Sequence, residues 1–171
     1  PIYLCSAPGG KALMMKDSFP EAGLVAADRS PKRLLSAMSN FRRAKLDIPS
    51  VAAEALTPPF REGAFRLVFA DVPCSNTGVA RRRPDAPWRF SERKLAKIVS
   101  LQRRILDSAA ELVASGGALL YSTCSVEPEE NSLQVEAFLA RRPEFTLESE
   151  RLVLPCERHD GAFAALLTKR V

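Results

Sequence analysis

The stretch Ile2-Tyr3-Leu4-Cys5-Ser6-Ala7-Pro8-Gly9-Gly10-Lys11 decides the fold: a short apolar run, a glycine-containing turn, and the start of a helix that continues to about Phe19. A buried strand that turns on glycines straight into a helix is the opening unit of an α/β sheet. Its glycines allow close backbone approach, and the helix start offers free N–H groups to an anion. The turn is not a Walker loop, which needs Gly where Cys5 stands and Ser or Thr where Ala12 stands, and it is not G-x-G-x-x-G. By itself it is equally compatible with a plain structural turn.

Working outward, short apolar runs alternate with helical patterns. Gly23-Leu24-Val25-Ala26-Ala27 reads as a second strand. Ser30-Pro31 then supplies an N-cap and a proline at the first helical position, and Leu34, Leu35, Met38 and Phe41 follow on one stripe. Ser50 to Ala53 is a brief third strand and Phe65 to Ala70 a fourth. Ser91 can cap a long helix, without the Glu of a capping box, whose apolar residues recur at 3.6 spacing from Leu95 to Val113 before a stop at Ser115-Gly116-Gly117. Ala118 to Ser122 is the fifth strand, and Pro128 opens a helix through Leu139. Phe145 to Leu147 and Phe163 to Thr168 close the chain as an antiparallel pair at one edge. The alternation predicts an α/β fold: a mostly parallel sheet with helices on both faces.

Ligands of such sheets bind at the carboxyl ends of the strands. The segments there are Cys5 to Lys11, Asp28, Glu54, Asp71 to Cys74 and Ser122 to Ser125, and nearly every unusual residue of the chain falls in one of them. Asp28 ends the second strand about 20 residues after the glycine turn, where a carboxylate can accept ribose hydroxyls, or simply cap the next helix. Glu54 can meet an adenine amine or be an ordinary surface residue. Cys74 and Cys124 end adjacent strands. One such cysteine is usually an inert small residue, whereas two suggest paired thiol chemistry, with reversible disulfide formation as a rival that lacks the C-x-x-C signature. Cys156 receives no role.

At 171 residues, 46% hydrophobic and 26% charged, the chain is expected to form one globular domain over residues 1–171. No run of 18 apolar residues and no secretory signal is present, so no membrane partner is expected. Four scattered cysteines and the single His159 argue against a disulfide scaffold and against a structural zinc, so no metal is expected and a reduced, cytoplasmic setting fits. The chain opens inside a strand without Met, which suggests that the start of the first strand and an earlier part are missing. The net charge of +5 is concentrated. Arg81, Arg82, Arg83, Arg89, Arg93, Lys94, Lys97, Arg103 and Arg104 face only Asp85 and Glu92 in one block, which would attract phosphates or form a solvated face. Trp88 in that block can stack on an unpaired base or simply pack.

Three long segments carry a family likeness: Cys5 to Lys11; Asp71-Val72-Pro73-Cys74-Ser75-Asn76-Thr77-Gly78; and Tyr121-Ser122-Thr123-Cys124-Ser125 with Glu127-Pro128-Glu129-Glu130-Asn131. Asp85-Ala86-Pro87-Trp88 and Asp160-Gly161-Ala162-Phe163 fit as well. In these segments the chain resembles the S-adenosylmethionine-dependent RNA (cytosine-5) methyltransferases. The resemblance implies a Rossmann-like class I methyltransferase fold with a seven-stranded sheet. It implies that Cys5, Ser6, Ala7, Pro8, Gly9, Gly10 and Lys11 hold the methionine part of S-adenosylmethionine, Asp28 the ribose, and Glu54 the adenine side, with Asp71 at the same site. Cys124 would be the nucleophile on carbon 6 of cytosine, Cys74 would assist product release, Asp71 would hold the base, and Lys11 would order the site. The partner would be rRNA or tRNA, met by Arg81, Arg82, Arg83, Trp88 and Arg89, and the protein a monomer.

Two thiols suit this chemistry. Carbon 5 of cytosine is a poor nucleophile until a thiolate adds at carbon 6, and the adduct must then be taken apart. The base must also leave its stack or lie in unpaired RNA. The chain departs from the family pattern at Tyr3, where Asp is usual, at Ala12 for Thr, at Glu54 for Asp and at Ala162 for an aromatic residue. Tyr3 keeps open a second reading, a non-catalytic RNA-binding or assembly module with a weakened cofactor site.

Overall fold

The computed structural model describes every residue except Ala86, Pro87 and Arg89. The sheet contains β1 (Ile2–Leu4), β2 (Val25–Asp28), β3 (Ser50–Ala52), β4 (Phe65–Asp71), β5 (Val113–Thr123), β6 (Phe145–Val153) and β7 (Ala162–Lys169), in the order β3-β2-β1-β4-β5-β7-β6. Strands β1 to β5 pair in parallel, and β7 runs antiparallel to both β5 and β6. The flanking helices are α1 (Gly10–Ser18), α2 (Pro31–Arg43), α3 (Glu92–Leu112) and α4 (Ser132–Arg141).

Strand alternation sorts the core into two layers. Ile2, Leu4, Val68, Ala70, Leu119 and Tyr121 pack with Ile105, Leu106 and Ala109 of α3 and with Val135 and Phe138 of α4. Tyr3, Ala26 and Phe69 pack with Ala12 of α1 and with Ala37 and Phe41 of α2. The caps form as the sequence predicts: Ser30 Oγ accepts from Arg33 N (3.3 Å) and Ser91 Oγ from Lys94 N (3.4 Å). β1 sits between β2 and β4, so the strand order reverses there and a crevice opens beyond Cys5 and Asp71.

Two helix boundaries differ from the expected ones. Helix α3 ends at Leu112, not at Ser115-Gly116-Gly117, because Val113 is already extended and pairs with Phe65. β5 therefore runs through the glycine pair, with a register shift against β4 between Phe65 and Leu67. Pro128 opens only a 3-10 turn over Pro128–Glu130, and α4 begins at Ser132. The intervening Glu130 and Asn131 are buried and turned toward the cysteine loops, which breaks helical continuity. The edge strand β6 is longer than expected and carries the charged residues Glu148, Glu150 and Arg151, a common protection for an open edge. Among the described residues, no helix is long and apolar enough to cross a membrane.

Candidate active site

Beyond β1 the chain turns sharply, with Cys5 and Gly9 both at positive φ (59° and 97°) and a cis bond between Ala7 and Pro8. Gly9 is required by close approach: a Cβ there would lie 2.7 Å from Phe41 Cε1. The turn is tied to β2 through Ser6 N to Ala27 O (2.9 Å) and Ala7 N to Asp28 Oδ2 (3.1 Å). Asp28 is buried, and its Oδ1 accepts from Ser30 N at 2.9 Å, so this carboxylate ties the turn to the residue that caps α2.

Two adjoining clefts open along the strand ends. The larger, about 500 Å³, is lined by Cys5, Ala7, Pro8, Lys11, Asp71, Cys74, Asn76, Arg83 and Cys124, among others. The smaller, about 140 Å³, is lined by Asp28, Glu54, Leu101 and Ile105, and shares Cys5, Arg33 and Pro73 with the first. Every residue proposed from sequence for the methionine, ribose and adenine sides therefore lines these clefts or belongs to the Cys5–Lys11 turn that borders them.

Asp71, at the end of β4, is held at both oxygens. Its Oδ1 accepts from Lys11 Nζ (2.5 Å) and Ser122 Oγ (2.7 Å), and its Oδ2 from the hydroxyl of Tyr3 (2.7 Å). Lys11 also lies 5.8 Å from the centroid of the Phe69 ring.

The two cysteine sulfurs are 3.0 Å apart, and Cys124 N donates to Cys74 Sγ at 3.3 Å. As a thiol, Cys124 donates to Asn76 Oδ1 (3.1 Å). The hydrogen bond from Cys74 favours the Cys124 thiolate and, with the Lys11 charge nearby, pulls its pKa below the ordinary thiol value against burial and the Asp71 charge. The same hydrogen bond, and then burial, push the Cys74 thiol up. Cys5 is pushed up to about 12 by burial, with Asp28 and Asp71 adding to the effect. Of these three thiols, Cys124 is thus the one poised to ionise.

The basic residues divide. Arg82 pairs with Asp160 (2.9 Å), Arg81 donates to the Glu157 carbonyl, and Arg83 lines the larger cleft. Trp88 is 90% exposed rather than packed. Arg89 lies outside the described residues, as do Ala86 and Pro87 of the Asp85–Trp88 segment. Among the described residues no group of three His, Cys, Asp or Glu side chains is placed to hold a metal ion.

Sequence reasoning missed four residues at the site. Arg33 donates to Ala7 O (2.5 Å), sits 3.8 Å from Asp28 and lines both clefts. Its signal was its place in the first turn of the helix that follows Asp28. Asn76 touches Cys124 and Ser122 touches Asp71, both from segments already singled out. Glu130 has no exposed surface and accepts from Ser75 N (2.9 Å) and Gln102 Nε2 (2.8 Å), a buried role that a run of charged residues conceals.

Comparison with known proteins places this geometry in context. Residues 2–166 match the family model described as 16S rRNA methyltransferase RsmB/F. The chain is 38% identical to ribosomal RNA small subunit methyltransferase B of Vibrio cholerae, over 97% of this chain and 40% of that protein. It is 39% identical to the protein of the same name from Citrobacter koseri, over 99% of this chain and 42% of that protein. The chain thus spans about two fifths of the length of these relatives. Among solved structures, PH0851 superposes with a TM-score of 0.91 at 31% identity, covering 98% of this chain and 42% of that one. NSun6 from Pyrococcus horikoshii, solved with SFG, superposes at 0.83 with 24% identity over 98% of this chain and 47% of that one, a likeness of fold.

Proposed function

Because the chain belongs to the 16S rRNA methyltransferase RsmB/F family, we propose that it carries the centre that methylates carbon 5 of a cytosine in small-subunit ribosomal RNA, through a covalent adduct with Cys124. The observation that carries this reading is the thiol pair: two sulfurs 3.0 Å apart at the ends of neighbouring strands, one favoured as thiolate by the other.

The clefts fit S-adenosylmethionine. Asp28 and Glu54 present carboxylates for hydroxyl and amine donors, Leu101 and Ile105 give apolar walls, and the neighbouring cleft continues past Lys11 to Cys124. When bound, the cofactor supplies an electrophilic methyl group on a sulfonium. The protein's part begins with Cys124. Its thiolate adds to carbon 6, the new C–S bond takes the sulfur lone pair, and the displaced π electrons make carbon 5 nucleophilic. Asp71, fixed by Lys11, Ser122 and Tyr3, holds the base in place.

Release uses the second thiol. Once Cys124 is spent in the C–S bond, it no longer accepts the hydrogen bond that is the larger of the two effects keeping Cys74 protonated, and Cys74 can pass its proton to solvent water in the open cleft. It then takes the proton from carbon 5; those electrons re-form the C5–C6 double bond, and the C–S bond breaks to return the Cys124 thiolate. Arg83 at the cleft and the exposed Trp88 suit phosphate and base contacts. The non-catalytic reading is not favoured, since the thiol pair and the Lys11–Asp71 pair are both in place.

The test is methyl transfer from labelled S-adenosylmethionine to unmodified small-subunit rRNA. Labelled 5-methylcytosine should form with the native protein and vanish in Cys124→Ala, while Cys74→Ala should accumulate a protein–RNA adduct stable to denaturant. Normal turnover by Cys124→Ala would overturn the reading.

A further inference from the structure

The segment Glu127 to Asn131 has no part in the chemistry above, yet two of its residues are among the most deeply buried polar groups of the molecule. Asn131 spans Cys124: its Oδ1 accepts from Thr123 Oγ1 (2.7 Å) and its Nδ2 donates to the Ser125 carbonyl (3.0 Å), the residues immediately before and after that cysteine. Glu130 spans Cys74 in the same way. It accepts from Ser75 N and from the Ser75 hydroxyl on one side. On the other side it accepts from Gln102 Nε2, which also donates to the Pro73 carbonyl at 2.9 Å. The Glu130 carbonyl is itself fixed by the buried Tyr121 hydroxyl (2.6 Å).

We infer that Glu130 and Asn131 are positioning residues that keep the two thiols in register, Asn131 serving addition by Cys124 and Glu130 serving release by Cys74. This inference rests on the roles proposed above for the two cysteines. Its physical basis is that adjacent residues on a single backbone bracket both cysteine loops, adding to the direct bonds between those loops such as Gly78 N to Cys124 O (3.0 Å) and the Ser75 and Ser125 hydroxyls (3.1 Å). Buried polar groups with matched partners fix one geometry, since any other leaves them unpaired. Gln102 comes from α3, so the bracket also anchors both loops to the helical layer.

The division of labour gives each residue its own signature. Glu130→Ala should behave as a partial Cys74→Ala: label enters the RNA in the first turnover, release slows about 10- to 100-fold, and denaturant-stable adduct accumulates on ordinary RNA. Glu130→Gln, which can still accept from Ser75 N and Gln102 with its carbonyl oxygen, should recover release. Asn131→Leu should instead slow adduct formation on RNA carrying 5-fluorocytidine, where fluorine in place of the carbon-5 proton blocks release and formation of the adduct is read without its breakdown. Were Glu130→Ala to lose its fold, Gln102→Leu should show the same slowed release, since it removes the link to Pro73.

Each result has a meaning. Adduct accumulation in Glu130→Ala with recovery in Glu130→Gln supports the inference. Equal loss of addition and release in Glu130→Ala or Gln102→Leu, or unchanged release in either, overturns it. If Cys74→Ala accumulates adduct and these variants do not, the inference falls and the proposed mechanism stands. If Cys74→Ala turns over normally, the release role falls and the inference with it.

Discussion

The hydroxyl of Tyr3 donates to Asp71 at 2.7 Å while its ring stacks on Phe69, with centroids 4.5 Å apart and planes within 13°. Parallel pairing sets Tyr3 beside Phe69, and Phe69 and Asp71 share a face two residues apart. Tyr3 thus supplies Asp71 with a neutral donor at the position where the family resemblance led us to expect Asp, and both its ring and its hydroxyl are engaged at the site.

Tyr3→Phe should leave the stack and the fold intact but release one oxygen of Asp71. A hydrogen bond to a charged group contributes about 1.5–3 kcal/mol, so kcat should fall roughly 10- to 100-fold with little change in KM for RNA. Tyr3→Asp, the residue expected from the family resemblance, strips the ring from Phe69 and sets a second carboxylate beside Asp71. It should cost about 3 kcal/mol or more, as large-to-small core changes do, visible as a lower unfolding midpoint. Unchanged stability in Tyr3→Asp would contradict this account.

The pH dependence of adduct formation follows from the thiol pair. In the proposed mechanism addition needs the Cys124 thiolate, so its rate should be full above the Cys124 pKa and decline as pH falls through it. That pKa is lowered, chiefly by the Cys74 hydrogen bond and also by Lys11, so the decline should lie below the ordinary thiol range. Cys74→Ala and Lys11→Gln should each move the acid limb upward, Cys74→Ala the further. Rapid-quench trapping on 5-fluorocytidine RNA across pH measures this directly.

Cofactor affinity and stability together separate the two carboxylates assigned to the ribose and adenine sides. The Glu54 side chain is exposed and lines the smaller cleft, so Glu54→Ala should weaken S-adenosylmethionine binding without changing stability. A lost hydrogen bond of this kind corresponds to about a 10-fold rise in Kd. Asp28 also binds Ala7 N and Ser30 N, so Asp28→Ala should lose affinity and lower the melting temperature together. Calorimetric titration beside thermal unfolding distinguishes the two patterns.

Gly78 stands where three backbones meet. A Cβ there would lie 2.8 Å from the Cys124 carbonyl oxygen and 2.9 Å from that of Gly161. Gly78→Ala should therefore destabilise by about 1–3 kcal/mol through overpacking and, because Gly78 N donates to Cys124 O (3.0 Å), slow adduct formation as well. A variant with native melting and native adduct kinetics would refute the close packing.

The parallel sheet and its strand-end chemistry were legible because both depend on local pattern: apolar runs such as Phe65 to Ala70, the Ser30-Pro31 cap, and polar residues just after strands. The glycine pair at 116–117 misled because its local signal as a helix stop is overridden by the pairing of Val113 with Phe65, a non-local contact. Glu130 and Arg33 stayed hidden for the opposite reason. A charged residue in a polar run reads as surface, and only the fold reveals that Ser75 and Gln102 wait for the first, and the Ala7 carbonyl for the second.

Strand β7 inserts between β5 and β6, and Gly161 N donates to the Gly78 carbonyl at 2.7 Å. A ribosome making this chain therefore delivers Cys74 and Cys124 well before Gly161 and β7, which close over the loops that carry them. Gly161 and β7 can reach Gly78 and β5 only after they have been made, a long-range contact of the kind that forms slowly. On the roles proposed for the two cysteines, a chain released before β7 was made would carry both sulfurs without the Gly161–Gly78 contact that closes over their loops.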